Sequence, residues 1–513
     1  MARTDVVIVG AGLGGLTAGA ILARAGRKVL VIEKGNSVGG AASSYKVGDL
    51  FVEGSLHETA DPNDPRDPKH DVLTRAGVLD AIKWVATDAL YEVRGGPLGH
   101  ALRVPDNLDG AQRTLIERFP HARDGIESLF AEMAHIATAM GKVAGDASTS
   151  GNRFEALRTT LDDSARQDWL LSLAQKLDRT FGNDEAVKCA IAANLCYYHD
   201  DPKTLWWIFF ALAQGGYLQS GARYIHGGSQ RLSSALARTI KKAGSDALLR
   251  RVVTAITPGT DSAPFTVTHT AKDGSDPQTV EATQVICNNA PESVAALLPD
   301  AAATTFSSHY ADRTPSISVF MLTLGLSKPP RELGFTHYST QLLPDWMKSL
   351  DDCAQAATLL RSEPADKMPP LAIVDYAAIE SGVPAPPYVL SIIAPDRLAN
   401  WEGLDQNSYR AKRARWQGAL VAYLDTHYPG LANAVTNASF NTAWSVRQYL
   451  GTPHGAVYGF APTPPRSSSE CPARSPQTPI VGLYLSSAYA GFGGYTGVIA
   501  AAGQCADMIL GEK

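Results

Sequence analysis

Residues 5–33 read DVVIVGAGLGGLTAGAILARAGRKVLVIE, and this stretch decides the fold. It opens with Asp5–Val9, a short β-branched run that is typical of a parallel strand buried on both faces. After a glycine-rich turn, the alanine and leucine content of residues 16–25 predicts a helix, which Gly26 ends. A second apolar strand is predicted over Val29–Ile32. The order predicts a β-α-β unit and therefore an α/β fold of the Rossmann type.

The spacing within the turn, Gly10-Ala11-Gly12-Leu13-Gly14-Gly15, gives its glycines distinct physical tasks. Gly10 makes the tight turn, Gly12 lets the backbone approach a pyrophosphate, and Gly15 lets the helix pack closely on the strand. The free N–H groups and the positive dipole end of the helix then stabilise phosphate. Glu33, about 20 residues further on, can accept hydrogen bonds from ribose hydroxyls and disfavours a 2′-phosphate. The turn predicts a dinucleotide site, but it leaves FAD and NAD both open.

Length and composition narrow the class of protein. A chain of 513 residues exceeds the size of a single hydrophobic core, so we expect two domains, which can be interleaved. With 45% hydrophobic and 19% charged residues, a folded enzyme fits. The net charge of −5 and the scattered Lys and Arg residues give no electrostatic footprint for nucleic acid.

The cysteines and the N-terminus favour a cytoplasmic protein. The six cysteines lie far apart and form neither CxxC pairs nor clusters with histidine, which predicts reduced thiols and no metal site. They are Cys189, Cys196, Cys287, Cys353, Cys471 and Cys505. The first residues lack a basic region followed by a long apolar one, so we expect no secretion signal.

Two uncharged stretches, residues 204–222 and 476–506, resemble membrane spans in composition. The second is so rich in glycine that it predicts a tight buried turn rather than a lipid-facing helix. The first contains Leu205–Phe210 and predicts a core helix. An aromatic run of this kind also suits a monotopic enzyme or an apolar substrate channel, so peripheral membrane contact stays open.

The segment after Glu33 distinguishes between the two cofactors. Residues 7–33 followed by Val38-Gly39-Gly40 resemble the start of FAD-binding enzymes of the phytoene desaturase, carotenoid isomerase and retinol saturase family, which are relatives of the flavin amine oxidases. In that family the second glycine pair lies along the pyrophosphate and ribityl chain of the flavin. The resemblance implies FAD as the cofactor. It also implies a discontinuous FAD-binding domain of the GR2 type beside an α+β substrate domain with a sheet floor and a helical lid.

A middle segment extends the resemblance. Tyr224–Leu232 is similar to the Gly-Gly-x-x-x-Leu start of a family helix, and a helix is predicted to follow as far as Lys242. A strand is predicted over residues 247–256, where the family backbone meets the adenine, and the resemblance places Val253 there. A hairpin over residues 266–282 follows, and then a strand over 284–287 and an Asn-Asn-Ala-Pro loop.

The C-terminal segment is similar to the closing element of the family. Gly482–Ala488 predicts a strand, Gly491–Gly497 a turn, and a helix is predicted from Val498. In the family the N-terminus of this helix faces the pyrimidine end of the flavin ring. The dipole of such a helix would stabilise negative charge at N1 and O2 of reduced flavin.

If these three pieces form one site, the FAD-binding domain comprises residues 1–75, 223–299 and 451–513. The substrate domain then comprises residues 76–222, predicted to be mostly helical, and residues 300–450. In the latter, strands are predicted over 317–324 and 388–394 and a helix over 409–428.

The predicted cofactor-binding residues lie in the glycine-rich segments and beside them. They are Gly10, Gly12, Leu13, Gly14, Gly15, Glu33, Lys34, Gly39, Gly40, Ala41, Val253, Gly493, Gly494, Thr496 and Val498.

No catalytic acid or base is identified from the sequence. The candidates are Glu53 and His57, because the family has an acidic residue in this region and its saturase-like members a histidine, together with Tyr495. For the carboxylate-rich run 57–71 we expect a solvated loop and no metal, since it lacks the glycine and distal glutamate of a calcium loop.

The resulting interpretation is an FAD-dependent oxidoreductase that transfers hydride between flavin N5 and a C–H or C=C bond of an apolar substrate. Desaturation, saturation and isomerisation of a polyene or isoprenoid are the outcomes known in the family. No second strand-GxGxxG-helix unit occurs, and Gly95–Gly99 is predicted to be a loop. We therefore expect the electrons to pass to oxygen or a quinone rather than to a bound nicotinamide.

Two alternatives remain open. A flavin amine oxidase shares the architecture and carries an aromatic cage beside the ring, for which Tyr489, Phe492 and Tyr495 are available. Proteins that escort prenylated GTPases have a similar fold and glycine turn without flavin. The colour of the purified protein separates the escort from the enzymes.

Overall fold

The computed structural model describes residues 2–145, 153–259, 263–470 and 474–511. Its strands are β1 (Ala2–Val9), β2 (Val29–Ile32), β3 (Ser44–Val47), β4 (Leu50–Glu53), β5 (Thr59–Ala60), β6 (Trp84–Ala86), β7 (Tyr91–Gly95), β8 (Gly99–Val104), β9 (Ala222–Ile225), β10 (Asp246–Leu248), β11 (Arg251–Thr257), β12 (Phe265–Ala271), β13 (Gln278–Cys287), β14 (Ser318–Leu326), β15 (Ser339–Leu343), β16 (Leu371–Asp375), β17 (Tyr388–Asp396), β18 (Val435–Asn441) and β19 (Leu483–Leu485).

Its helices are α1 (Leu13–Arg24), α2 (Lys69–Arg75), α3 (Leu108–Arg118), α4 (Arg123–Gly145), α5 (Arg153–Thr160), α6 (Asp163–Gln167), α7 (Leu173–Phe181), α8 (Glu185–Ile191), α9 (Trp207–Ser220), α10 (Gln230–Lys242), α11 (Pro291–Ala295), α12 (Asp300–Tyr310), α13 (Cys353–Ala356), α14 (Gln406–His427), α15 (Leu431–Ala434), α16 (Ala443–Leu450) and α17 (Gly494–Leu510).

The first sheet contains the predicted β-α-β unit. Its strand order is β10-β2-β1-β13-β12-β11, and β19 pairs with β13. The pairs β1–β2, β1–β13, β2–β10 and β13–β19 are parallel, and the β-branched residues of β1 are buried on both faces. Helix α1 packs between this sheet and helices α10 and α17. The Rossmann-type α/β fold is confirmed. Helix α1 begins at Leu13, earlier than predicted, because the last glycines of the turn already form its first turn.

The strand predicted over residues 247–256 is wrong in one respect, since the chain forms two strands there. β10 pairs with β2, whereas β11 pairs antiparallel with β12. Between them Arg250 has a positive φ of 58°, and its N–H donates to the carbonyl oxygen of Gly35 at 2.8 Å. The chain changes partner strands at this residue, which a pattern of apolar residues does not reveal.

Three other boundaries also differ from the predictions. The strand predicted over 284–287 is the end of the single long strand β13. The closing strand β19 has only three residues, and helix α17 begins at Gly494 rather than Val498. The last residues of the predicted turn, Gly494–Gly497, therefore form the first turn of that helix.

The second sheet forms a floor with the strand order β18-β14-β17-β16-β15-β7-β8. Helix α14 covers one face, where Trp416, Leu420 and Leu424 pack on alternate residues of β14 and β17. On the other face Met321, Ala372 and other floor residues belong to the same core as β1 and α1. Segment 76–222 was predicted to be mostly helical, but it also supplies β7 and β8 to this floor. Residues 95–99 form the turn between them, as predicted.

Helices α3 to α9 form a lid with a core of its own. Helix α9 lies inside this core, and Trp206, Trp207 and Phe210 are fully buried, which confirms the predicted core helix. Across the described parts of the chain, no helix is both long and apolar enough to cross a membrane. The boundaries of the two domains stay a prediction.

The buried carboxylate of Asp396 fixes one end of the floor. It accepts hydrogen bonds from Asn400 Nδ2, Trp401 Nε1 and the backbone N–H groups of Arg397 and Ala443, all at 2.8 Å. Asp396 therefore joins β17 to the start of α16.

We predict that Asp396→Ala lowers the free energy of unfolding by about 3 to 5 kcal/mol, because three buried donors and the partly buried N–H of Arg397 lose this acceptor. Chemical denaturation measures the loss. The control is Asp366→Ala in an exposed loop, which should change the value by at most about 0.5 kcal/mol. Equal effects of the two substitutions would contradict the role given to Asp396.

Candidate active site

The opening glycine turn exposes backbone donors. Gly10 has a φ of +94°, and Gly12 caps helix α1 with an extended backbone and no side-chain cap. The first N–H groups of α1 therefore have no side-chain acceptor, and its first turn carries no acidic residue. Glu33 lies beside this turn, and its carboxylate accepts from the N–H groups of Ala11 at 2.7 Å and Gly35 at 2.6 Å.

The second glycine pair packs against the first turn. The N–H of Gly39 donates to the carbonyl oxygen of Ala11 at 2.7 Å, and Gly39 forms a parallel bridge with Gly12. A Cβ atom on Gly40 would lie 3.3 Å from the Cα of Gly12. Gly39 and Gly40 both have a positive φ, +125° and +58°, which glycine adopts without strain. The two glycine-rich segments, which lie more than 20 residues apart, meet in space.

The closing segment converges on the same place. Asn288, directly after β13, donates from Nδ2 to the carbonyl oxygen of Ser486, directly after β19. A Cβ atom on Gly14 would overlap that Ser486 carbonyl, and one on Gly12 would overlap Asn288 Oδ1. The carboxyl ends of β1, β13 and β19 thus lie together, at the edge where open α/β sheets bind ligands.

Helix α17 points its N-terminus into this region. Gly493 caps it without a side-chain hydrogen bond, and no acidic residue lies in its first turn. The guanidinium of Arg474 donates to carbonyl oxygens of Phe460, Ala461 and Gly491, at 2.7 to 3.1 Å, which holds the preceding loop in place. A second uncapped helix N-terminus therefore faces the site.

Tyr495 connects the closing turn to the second glycine pair. Its hydroxyl lies 3.0 Å from Ser55 Oγ, and Ser55 donates to the carbonyl oxygen of Ala41 at 2.8 Å. Burial raises the pKa of the Tyr495 phenol, so it stays protonated at neutral pH.

Glu53 lies in a closed network of hydrogen bonds. Its carboxylate accepts from the Ser229 N–H at 3.0 Å, the Ser229 hydroxyl, the Tyr224 hydroxyl at 3.2 Å and the Leu56 N–H at 3.4 Å. Burial raises the pKa of Glu53, and the bonds from Ser229 oppose that shift. Since both oxygens are engaged, the geometry favours a positioning role over proton transfer.

His57 is different, because it is buried and only its backbone is held. Tyr338 donates to the His57 carbonyl oxygen, while Nε2 has no hydrogen-bond partner among the described residues. Its ring stacks on Tyr197 with centroids 5.8 Å apart. Burial lowers the pKa of His57 to about 3, so the imidazole is neutral at physiological pH.

The run 57–71 was predicted to be a solvated loop, and this is wrong. Lys69 is fully buried, and its Nζ donates to Asp67 Oδ2 and to Thr496 Oγ1, both at 2.8 Å. Asp61 is also buried, and its Oδ2 lies 2.9 Å from Arg223 Nε. Burial lowers the pKa of Lys69, and the Asp67 carboxylate opposes this shift. The reason for the error is long-range packing, since helix α17 covers a segment whose composition is typical of a surface.

The other predicted cofactor residues lie in varied surroundings. Val253 packs its side chain into the core with Val7 and Val9, two residues after Arg251, whose N–H donates to the Glu33 carbonyl oxygen at 2.9 Å. Lys34 is exposed and extends toward Gly451. Leu13 and Val498 pack in the core beside the two helix N-termini, and Gly494 has open space around it.

A small apolar pocket, with a cavity volume of about 20 Å³, lies between the lid and the floor. Cys189 and Cys196 line it from the lid, and Gln341, Leu371 and Ala372 from β15 and β16. The five cysteines in the described residues are free and buried, as predicted for reduced thiols. Cys471 lies outside the described residues.

Comparisons with known proteins agree with this geometry. The family model of an NAD(P)-binding Rossmann-like domain matches residues 8–65. All-trans-retinol 13,14-reductase of Danio rerio is 22% identical over 99% of this chain and 86% of its own length. Hydroxyneurosporene desaturase of Rhodobacter capsulatus is 39% identical over 16% of this chain and 13% of its own. The structure of a putrescine oxidase covers 99% of both chains, with a TM-score of 0.63 and 17% identity, which is a likeness of fold.

The chain is thus similar in sequence to a retinol reductase and a carotenoid desaturase, and similar in fold to an amine oxidase. The match to the Rossmann-like model and the converging glycine turns point to a dinucleotide cofactor.

The aromatic side chains considered for an amine oxidase cage pack in three different places. Tyr489 contacts Phe460 in the core behind the first sheet, with ring centroids 5.0 Å apart. Phe492 stacks on Phe209 of the lid at 4.5 Å. Tyr495 is bonded to Ser55 instead. This protein therefore does not bring the three together as one cage.

Some residues of the site were missed from the sequence. Glu58 is buried next to His57, Tyr197 stacks on that histidine, and Lys69 binds Thr496. The signal in the sequence was that Glu58 directly follows His57 and that Lys69 lies in the same run. The composition of that run predicts a solvated loop, so it does not point to a buried site.

We predict that Gly14→Ala lowers the free energy of unfolding by about 1 to 3 kcal/mol, since the added Cβ overlaps backbone atoms of Ser486 and separates the two turns. Thermal and chemical unfolding measure it. Gly216→Ala in helix α9 is the matched control, because nothing lies within 4 Å of its added Cβ. It should stabilise the protein by about 0.5 to 1 kcal/mol through helix propensity. An unchanged Gly14→Ala variant would contradict the convergence of the turns.

Proposed function

We propose that this protein binds FAD and oxidises or reduces a C–H or C=C bond of an apolar, polyene-like or isoprenoid-like substrate. The observation that carries the proposal is the convergence of two glycine turns, each followed by an uncapped helix N-terminus. A single Rossmann turn serves any dinucleotide. Two uncapped helix N-termini and a second glycine pair suit a long cofactor with a diphosphate at one place and an electron-rich ring at another.

The residues fit FAD in the following way. The backbone of Gly10–Gly15 and the N-terminus of α1 would hold the diphosphate, and Glu33 the ribose hydroxyls. Gly39–Ala41 would follow the ribityl chain, and the backbone near Val253 would meet the adenine. Segments 1–75, 223–299 and 451–513 would form this cofactor domain, with the remaining segments around the substrate.

FAD supplies the chemistry of hydride transfer at N5, and the chain supplies orientation and electrostatics. Gly493, Gly494 and Thr496 at the start of α17 direct N–H groups and a positive dipole end into the site. The ammonium of Lys69 donates to Thr496 Oγ1, so it adds positive charge at the N-terminus of helix α17. Both features favour the extra negative charge of the reduced cofactor.

The substrate side supports an apolar molecule. The pocket between lid and floor is lined mostly by aliphatic and cysteine side chains, and the relatives are named for retinol and hydroxyneurosporene. Burial of the site excludes water from the reacting bond. In this proposal oxygen or a quinone is the electron acceptor.

The proposal predicts that the purified protein is yellow and releases FAD on denaturation. Anaerobic photoreduction should bleach it, and reoxidation with oxygen, menadione and all-trans-retinol identifies the acceptor by rate. A colourless protein, as expected for a GTPase escort, or release of a nicotinamide nucleotide would overturn the proposal.

A second prediction concerns Lys69. Lys69→Met should lower the flavin reduction potential by about 30 mV or more, which corresponds to about 1.4 kcal/mol for two electrons, because it removes a buried cation. Asp67→Asn should raise the potential, since it leaves the Lys69 charge unpaired. Spectroelectrochemical titration measures both.

Lys46→Met is the control for this pair, because Lys46 is exposed on strand β3 and should leave the potential unchanged. Shifts of the same sign for Lys69→Met and Asp67→Asn would indicate a general structural disturbance and contradict the electrostatic role.

A further inference from the structure

Glu58 has a buried carboxyl group that nothing in the protein satisfies. The residue is 7% exposed, and neither Oε1 nor Oε2 has a hydrogen-bond partner in the described part of the chain. Only its backbone is engaged, through a hydrogen bond from the Tyr217 hydroxyl at 3.1 Å. An unsatisfied buried carboxyl costs free energy, and native proteins rarely retain one without a ligand or a function.

Two further polar groups beside Glu58 are also unsatisfied. His57 Nε2 and the Tyr197 hydroxyl are buried and lack partners among the described residues, and their rings stack on each other. Glu58 is close enough to Tyr197 that its charge is the second cause, after burial, that raises the pKa of that phenol. Three neighbouring side chains therefore carry buried polar groups that the described residues leave unsatisfied.

This cluster adjoins both the cofactor site and the apolar pocket. Ser55, bonded to Tyr495, is three residues before Glu58 in the chain. Cys196, directly before Tyr197, lines the pocket between lid and floor. A molecule in the pocket beside Cys196 would lie near Glu58, whose charge also raises the pKa of the Cys196 thiol.

We propose that His57, Glu58 and Tyr197 form a polar subsite that binds a neutral oxygen function, a carbonyl or hydroxyl group, on an otherwise apolar substrate. The inference rests on the proposed function and narrows its substrate class from a hydrocarbon to an oxygenated one. A carboxyl and a phenol can both donate to a carbonyl oxygen, and the neutral imidazole and the carboxyl can accept from a hydroxyl.

Charge selects the neutral ligand over an amine or a carboxylate. Burial raises the pKa of Glu58 well above its ordinary value, and the nearby Asp106 raises it further. Burial also keeps His57 uncharged. The subsite is therefore neutral as a whole, and a charged ligand would enter it without a counter-ion.

The test compares limonene with carvone, which has the same skeleton plus a carbonyl group. Binding to the oxidised protein is measured by the change in flavin absorbance and, independently, by the thermal shift of the protein. Wild type should bind carvone about tenfold more tightly than limonene or better, as one good hydrogen bond allows. Glu58→Leu should reduce the ratio to about twofold or less, and Glu58→Gln, which keeps a neutral donor and acceptor, should retain most of it.

The same variants have a readout that needs no ligand. Glu58→Leu should raise the melting temperature of the free protein, because it removes an unsatisfied polar group. Glu53→Leu is the matched control on the same segment and should lower it, since Glu53 is fully hydrogen-bonded. A fall for Glu58→Leu would mean that the carboxyl has a structural partner, which overturns the subsite.

Equal affinity of the wild-type protein for limonene and carvone would overturn the inference. So would tighter binding of cyclohexylamine than of carvone, if Glu58→Gln abolished the binding of the amine, because this would indicate a carboxylate that pairs with an amine. A colourless protein would contradict the proposed function alone, because the thermal shift with carvone still decides on the subsite.

Discussion

The hydrogen bond from Asn288 to the Ser486 carbonyl joins the middle segment of the chain to its C-terminal segment beside the opening turn, and the candidate site depends on it. Strands β1, β13 and β19 run parallel, so their carboxyl ends deliver three distant segments to one edge. Asn288 occupies the space where a side chain on Gly12 would lie, and Ser486 the space beside Gly14. These two glycines therefore serve a purpose within the protein, in addition to the role proposed for them at a phosphate. Any side chain there would separate the opening turn from the closing one.

Local patterns were sufficient to predict the β-α-β unit, and the bounds of β2 agree with the prediction, because strand, turn and helix there depend on neighbouring residues. The break at Arg250 and the strands β7 and β8 were not predictable in the same way. Their existence depends on which distant strand offers a free edge. The same division holds for the site. The glycine turns are visible in the sequence, whereas the burial of Lys69 is decided by helix α17, more than 400 residues later.

Segment 57–69 contains two kinds of buried ionisable group, an ion pair and a carboxyl group without a partner among the described residues. Lys69 and Asp67 form a buried ion pair whose lysine also binds Thr496, so each charge has a partner. Glu58 has none, and burial shifts its pKa until the carboxyl is neutral. The pair can shape the electrostatics of a cofactor, because the lysine also binds the start of helix α17. The neutral carboxyl can act only through hydrogen bonds, which suits contact with an uncharged molecule.

A directional contact is what an apolar substrate otherwise lacks. The hydrophobic effect that would hold it in the pocket is non-directional and nearly indifferent to a shift of one carbon along the chain. Reaction at one chosen C–H or C=C bond needs the molecule to be held within a fraction of an ångström of productive geometry. Van der Waals contact with Cys196 and Ala372 does not define such a register. One hydrogen bond to Glu58 or Tyr197 does, because it fixes one end of the substrate, and the shape of the pocket then determines which carbon faces the ring.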